Sequence, residues 1–256
     1  MTDWITYEQP LNERIRTLMR LEFLFRQISA HTQHDSHWHS RSLIHSIGEL
    51  LSITERGDLK SELLKELERH ISTFTKLQET PGIDTDYLTS LLSEAQSYMS
   101  SLHAITGQIG AVLKNDEFLL GITQRTSIPA GTCDFDLPEF HYWLEQPWEK
   151  RLSHVKQWLS HFETLSNSCK FIMDMIRQSS LPSEETATAG SYQKSLDKSH
   201  PCQIVRVDLP ADLPIFPEVS GNKQHFSIRF MEFDESFGKP GQTAKDIDFK
   251  LTICIL

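Results

Sequence analysis

Outside Arg125 to Leu144 the apolar residues of this chain change their spacing once, near Ser179, and that change limits the folds open to it more than any single motif does. Before Ser179 they recur at intervals of three and four, the repeat of a helix packed on one side. From Ile204 onward they recur at intervals of two, the repeat of a strand with one covered face. Two such blocks in succession predict an α+β protein, an N-terminal helical bundle with a smaller, mainly antiparallel β domain.

In the first block, Leu11, Ile15, Leu18, Leu21, Phe25 and Ile28 form one stripe on a helix opened by Pro10-Leu11-Asn12, leaving Arg14, Arg16, Arg20 and Glu22 off it. Further helices are predicted over about 40–53, 59–78, 84–103, 106–124, 138–146 and 148–178. Asp58 and Asp84 stand where N-caps belong, and Gly57 suits the turn that ends the second helix, with Arg56 at that corner. Residues 31–39, HTQHDSHWH, read as a polar loop.

Helical spacing fails in Arg125 to Leu144, RTSIPAGTCDFDLPEFHYWL. Pro129, Ala130-Gly131 and Pro138 bracket a run in which Cys133, Phe135 and Leu137 alternate with Asp134 and Asp136, so Thr132 to Leu137 is predicted to be a short strand that joins the C-terminal sheet. Residues 181–190, with almost no apolar side chains, read as a flexible linker. In the last block the strands are expected around 204–209, 225–231 and 247–255, with an edge strand over 213–219 broken by Pro214 and Pro217. The organisation expected is therefore 1–124 and 138–180 as two parts of the bundle, 125–137 as a strand-bearing junction to the β domain, 181–190 as linker and 191–256 as the β domain.

Composition excludes several functions. A net charge of −10 over 256 residues argues against non-specific nucleic-acid binding, which needs clustered Lys and Arg. Neither block is basic: Lys and Arg number 17 against 24 Asp and Glu in 1–182, and 8 against 11 in 183–256. An anionic partner must therefore meet a local concentration of charge. No apolar run approaches the roughly 18 residues of a membrane span, and the first residues lack the basic and apolar regions of a signal peptide, so a cytoplasmic protein without membrane insertion is expected. Cys133, Cys169, Cys202 and Cys254 are scattered, which suits free thiols.

Signatures of catalysis are missing: there is no Gly-rich phosphate loop, H-E-x-x-H or nucleophile elbow. No catalytic residue, metal or cofactor is expected, the histidines between His31 and His45 being read as a solvated group. Cys133 with His141 is the one conceivable nucleophile–base pair and defines the alternative, a small cytosolic thiol hydrolase. The more suggestive stretch is SGNKQHFSIRF, Ser220 to Phe230. There Gly221-Asn222 makes a turn, Lys223 follows it, and alternation sets His225 and Arg229 opposite Phe226, Ile228 and Phe230. Cations on an open sheet face suit peptide carboxylates, Arg as a planar bidentate donor and Lys as a flexible point charge.

Five segments carry a family likeness: YEQPLNERIRTLMRLEFL (from Tyr7), ERGDLKSELLKELER (from Glu55), QRTSIPAGTCDFDLPEFHYWL (from Gln124), MIRQSS (from Met175) and FPEVSGNKQHFSIRFM (from Phe216). In their order and spacing the chain resembles the ZapD family of cell-division factors. The resemblance implies a helical bundle with a β domain, a homodimer, and binding of the C-terminal tail of FtsZ through a basic surface near the junction of the two parts. Matched by position, that surface would use Arg20, Arg56, His141 and Arg229, joined by Lys223 and His225 from the hairpin. Where the family carries an arginine ahead of F-x-I-R-F this chain has His225, largely neutral near pH 7 unless a carboxylate holds its proton.

Overall fold

A computed structural model describes residues 3–55, 57–197, 199, 201–232 and 238–256. The chain divides into two compact units, one formed by Met1–Met19 with Met173–Leu256 and the other by Arg20–Ile172. The divisions fall inside α1 (Glu13–His31) and α8 (Glu163–Gln178).

The second unit is helical and holds α2 (His37–Thr54), α3 (Leu59–Leu77), α4 (Thr85–Ala104), α5 (Glu117–Arg125), α6 (Pro138–Leu144) and α7 (Trp148–Ser160). α3 packs on α4, and α2 on α5 and α7. Short polar residues start α2, α4 and α5 by taking their orphan N–H groups, whereas Asp58, at the N-cap position of α3, makes no such side-chain bond. Asp84 accepts from Tyr87 at the head of α4, Asp116 from Leu119 at the head of α5, and Ser36 from Trp38 at the head of α2. Pro138 opens α6, where a missing N–H costs nothing.

Three helical expectations are corrected. The polar loop after α1 is shorter than predicted, because Ser36 caps α2 and draws His37 to His39 into its first turn. The helix expected over 106–124 is split into a 3₁₀ turn, Ala111–Asn115, and α5. Its cause is Gly107 and Gly110, both at positive φ, followed by the Asp116 cap. A Cβ on Gly110 would stand 2.6 Å from Phe162 Cε1, so the close approach needs glycine. The long helix expected over 148–178 breaks between Ser160 and Glu163, separating α7 from α8.

The larger correction concerns Thr132 to Leu137, which is not a strand. Residues 126–137 are successive turns closed by local bonds: Gly131 N–H to Ile128 O, Cys133 N–H to Ala130 O, and Leu137 N–H to Cys133 O. Arg41 of α2 donates to the Thr132 carbonyl at 2.7 Å and to Asp134 Oδ1 at 2.8 Å. With these partners the backbone has no need of a sheet, and Phe135, expected to be covered, is 86% exposed.

The other unit is a pair of antiparallel sheets. The first runs β1 (Trp4–Pro10), β4 (Ile204–Pro210), β8 (Ile247–Cys254), β2 (Ser183–Ala187). The second runs β3 (Ser191–Ser195), β6 (His225–Glu232), β5 (Ile215–Gly221), with the short β7 (Gly241–Gln242) also paired to β6. β1 is a strand the helical reading of the N-terminus missed; Trp4 faces Pro210 and Pro10 faces Ile204 in its register. The stretch read as a flexible linker contains β2, laddered to β8 from Ser183 with Leu251 to Ala187 with Ile247. An edge strand draws its stability from those ladder bonds and needs few apolar side chains. Val205, Val207, Phe249 and Leu251 of one sheet share a core with Phe226, Ile228 and Phe230 of the other, each such side chain worth roughly 1.5–3 kcal/mol on burial. Within this unit the Glu8 carboxylate is held by Arg177 of α8 at 2.8 and 2.9 Å and by Arg206 of β4 at 3.0 Å.

Candidate functional site

The cationic hairpin is built from its turn outward. Asn222 Oδ1 accepts from the N–H groups of Gln224 (2.8 Å) and His225 (3.3 Å), and Asn222 N–H donates to the His225 carbonyl. A Cβ on Gly221 would meet Phe226 Cβ at 2.6 Å, so glycine lets the two strands close there. The turn places Lys223 at its tip, exposed and with no ion pair among the described residues. Along β6, Phe226, Ile228 and Phe230 are buried while His225 and Arg229 are exposed, as alternation requires. Arg229 faces Glu218 of β5, and its Nη2 donates to Glu218 Oε2 at 2.7 Å. With 60% and 47% of these side chains exposed, the pair is worth no more than about 1 kcal/mol. The rest of the guanidinium fork is open to an incoming carboxylate.

Arg20 and His141 belong to the helical unit. Arg20 is exposed on α1 and has no ion pair among the described residues. His141 stands on α6 with its Nδ1 3.4 Å from Asp134 Oδ1, the atom that Arg41 also holds. The Arg41 guanidinium lies 5.0 Å from the centre of the Phe140 ring and 5.7 Å from that of Trp38. Sequence reasoning passed over Arg41: its importance comes from residues more than 90 positions away, and nothing in its own helix marks it. Arg56 lies outside the described residues. Lys223, His225 and Arg229 thus share one hairpin, whereas Arg20 and His141 stand on separate helices.

The geometry at Cys133 disfavours thiol chemistry. Its Sγ donates to Asp136 Oδ2 at 3.2 Å, and local desolvation together with that carboxylate raises the thiol above its ordinary value. An activated cysteine needs a cation or an imidazole in that place, and His141 is instead directed to Asp134. In the histidine group, His31 and His39 share one Nδ1–Nδ1 hydrogen bond of 2.8 Å, and His34 stacks on His39 at 4.4 Å. Burial, then His39 and His34, lower the proton affinity of His31. Among the described residues no three His, Cys, Asp or Glu side chains are grouped to hold a metal ion. No helix among the described residues is long and apolar enough to cross a membrane.

A family model described as ZapD, cell division protein, matches residues 19–229. A protein of Methylococcus capsulatus is 39% identical over 256 residues, covering all of both chains. One of Cronobacter sakazakii is 37% identical over 254 residues, 99% of this chain and 100% of its own. One of Coxiella burnetii is 36% identical over 251 residues, 98% of this chain and 97% of its own. Each of the three carries the name cell division protein ZapD.

Proposed function

The chain belongs to the ZapD family of cell division proteins, and from that premise we propose that it binds the C-terminal tail of FtsZ and crosslinks FtsZ protofilaments into bundles, promoting Z-ring assembly and stability. It acts without catalysis or cofactor, in the cytoplasm at the midcell division site. The tail is held by Arg20, Arg56, His141, Lys223, His225 and Arg229. The observation that supports this most is the hairpin, where three basic side chains stand exposed on one strand and turn and Glu218 is the one carboxylate paired with them among the described residues.

Crosslinking follows from two-fold symmetry. A homodimer carries two identical sites, so it holds tails from two filaments. Once one tail is engaged, the second is captured at an effective concentration in the mM range, and avidity exceeds site affinity by about 10² to 10⁴. Weak sites then suffice for strong bundling.

Two measurements test this. Pelleting of FtsZ polymers is expected to rise with this protein and to return to the background level with FtsZ lacking its tail; equal bundling in both cases rejects the tail mechanism. Calorimetry with a synthetic tail peptide is expected to show Arg229→Glu lowering affinity roughly tenfold, since the change removes a charge-assisted donor and adds a repulsive carboxylate. The variant should still fold, as Arg229 is exposed. Affinity should also fall with salt, because exposed charges are screened within about 10 Å at 0.1 M. Unchanged binding by the variant places the site on another face.

A further inference from the structure

Two aromatic side chains of the helical unit stand open to solvent on the surface that carries His141. Among the described residues no Phe, Trp or Tyr is more exposed than Phe135, at 86%, and Trp38 comes next at 77%. Neither is loosely held. The turns that present Phe135 are pinned on both sides of it. On one side, Asp134 Oδ1 accepts from Arg41 at 2.8 Å and lies 3.4 Å from His141 Nδ1. On the other, Asp136 Oδ1 lies 3.4 Å from Arg125 Nη1, and its Oδ2 accepts from Cys133 Sγ at 3.2 Å. Trp38 belongs to the first turn of α2, and the guanidinium of Arg41, one turn along, lies 5.7 Å from its ring centre. Arg41 therefore ties the turn that presents Phe135 to the helix that presents Trp38.

What this surface lacks is free charge. Arg41, Arg125 and His141 each face Asp134 or Asp136 already, Arg41 also donates to the Thr132 carbonyl, and His37 of α2 faces Glu145 of α6 at 3.5 Å. The carboxylates on either side of Phe135 are paired by the same bonds, so the surface is matched within itself and favours neither an anion nor a cation. Exposed aromatic area on a pinned backbone is what remains. Such rings are effective anchors at interfaces, since they bring large apolar area and few rotamers to be lost on contact. The inference rests on the tail reading, which already sets His141 among the residues that hold the tail. We propose that Phe135 and Trp38 bind an apolar side chain of the FtsZ tail, so that the tail is recognised at this surface by aromatic contact and not by charge.

The test titrates a synthetic FtsZ tail peptide into the full chain by calorimetry, at low and at high salt. Phe135→Ala and Trp38→Ala, both exposed changes that should leave the helical circular dichroism intact, are each expected to weaken binding about threefold to tenfold. That loss should be the same at both salt concentrations, whereas the loss from Arg229→Glu shrinks as salt rises. Phe135→Leu, which keeps an apolar group, should recover part of the affinity. Peptides with one apolar residue at a time changed to serine locate the contact: at one position the change should cost affinity for the wild-type protein and none for Phe135→Ala. Wild-type affinity in both alanine variants, a loss that disappears in high salt, no coupled position, or a change in self-association without a change in peptide affinity each overturns the proposal. Wild-type affinity in Phe135→Ala and Trp38→Ala beside a weakened Arg229→Glu overturns this inference alone, while a peptide that fails to bind the wild-type protein overturns the tail reading with it.

Discussion

Replacing Arg151 by methionine is expected to lower the unfolding free energy of the helical unit by about 3 kcal/mol, because a buried guanidinium is removed while the acceptors it served stay in place. Arg151 is only 3% exposed. Its Nε donates to the Gln146 carbonyl at 3.0 Å, one Nη to the Asp35 carbonyl at 2.7 Å and the other to Ser40 Oγ, while its plane lies 5.3 Å from the Trp148 ring. One side chain thus ties the loop before α2, the first turn of α2 and the turn between α6 and α7. Methionine fills much of the volume and makes none of the three bonds. Lysine should recover little, since a point charge cannot serve three acceptors set around a planar fork. Urea unfolding at neutral pH, followed by the loss of helical circular dichroism, measures the change. A difference below about 1 kcal/mol would show that water or a local shift replaces the lost donors.

The second large effect is a loss of stability in acid that traces to His70. This side chain is fully buried in α3 beside Phe74 and Phe171. Its Nδ1 donates to the Glu66 carbonyl at 2.6 Å, and its Nε2 has no hydrogen-bond partner among the described residues. Burial lowers its pKa to about 4, outweighing the raising influence of the Glu66 and Ile172 carbonyls. A folded-state value below the unfolded one means that folding favours the neutral ring. The associated stability is whole above pH 6.5 and drains away as pH falls from 6.5 to 4. A separation of that size corresponds to about 3 kcal/mol. His70→Gln keeps a donor for Glu66 and removes the titration, so its stability should fall far less between those pH values. Matching acid limbs in the two proteins would assign the effect elsewhere.

Within the candidate site, what could be read in the sequence was what depends on neighbours along the chain. His225 and Arg229 are open, and Phe226, Ile228 and Phe230 closed, because a strand turns each successive side chain to the opposite face. The Gly221-Asn222 turn follows from a missing Cβ and a short amide that bonds its own backbone. The tie from Arg41 to Thr132 and Asp134 could not be read this way, nor could the seat of His141 on Asp134. Each joins residues whose local patterns are silent about one another.

The same division holds for the fold. The sequence alone determined that a helical block precedes the C-terminal strands and where most of those elements lie, because apolar spacing and capping residues act within a few positions. Only the tertiary structure decided which backbone groups found partners at a distance. Trp4–Pro10 became a strand because β4, some two hundred residues later, offers it a ladder. Ser183–Ala187, polar enough to read as a linker, became one because β8 supplies the hydrogen bonds. Thr132 to Leu137 alternates like a strand and is a run of turns, because Arg41 and its own carbonyls satisfy it first. A buried N–H or C=O must be paired, and which chain segment pairs it is a property of three dimensions that no local repeat can encode.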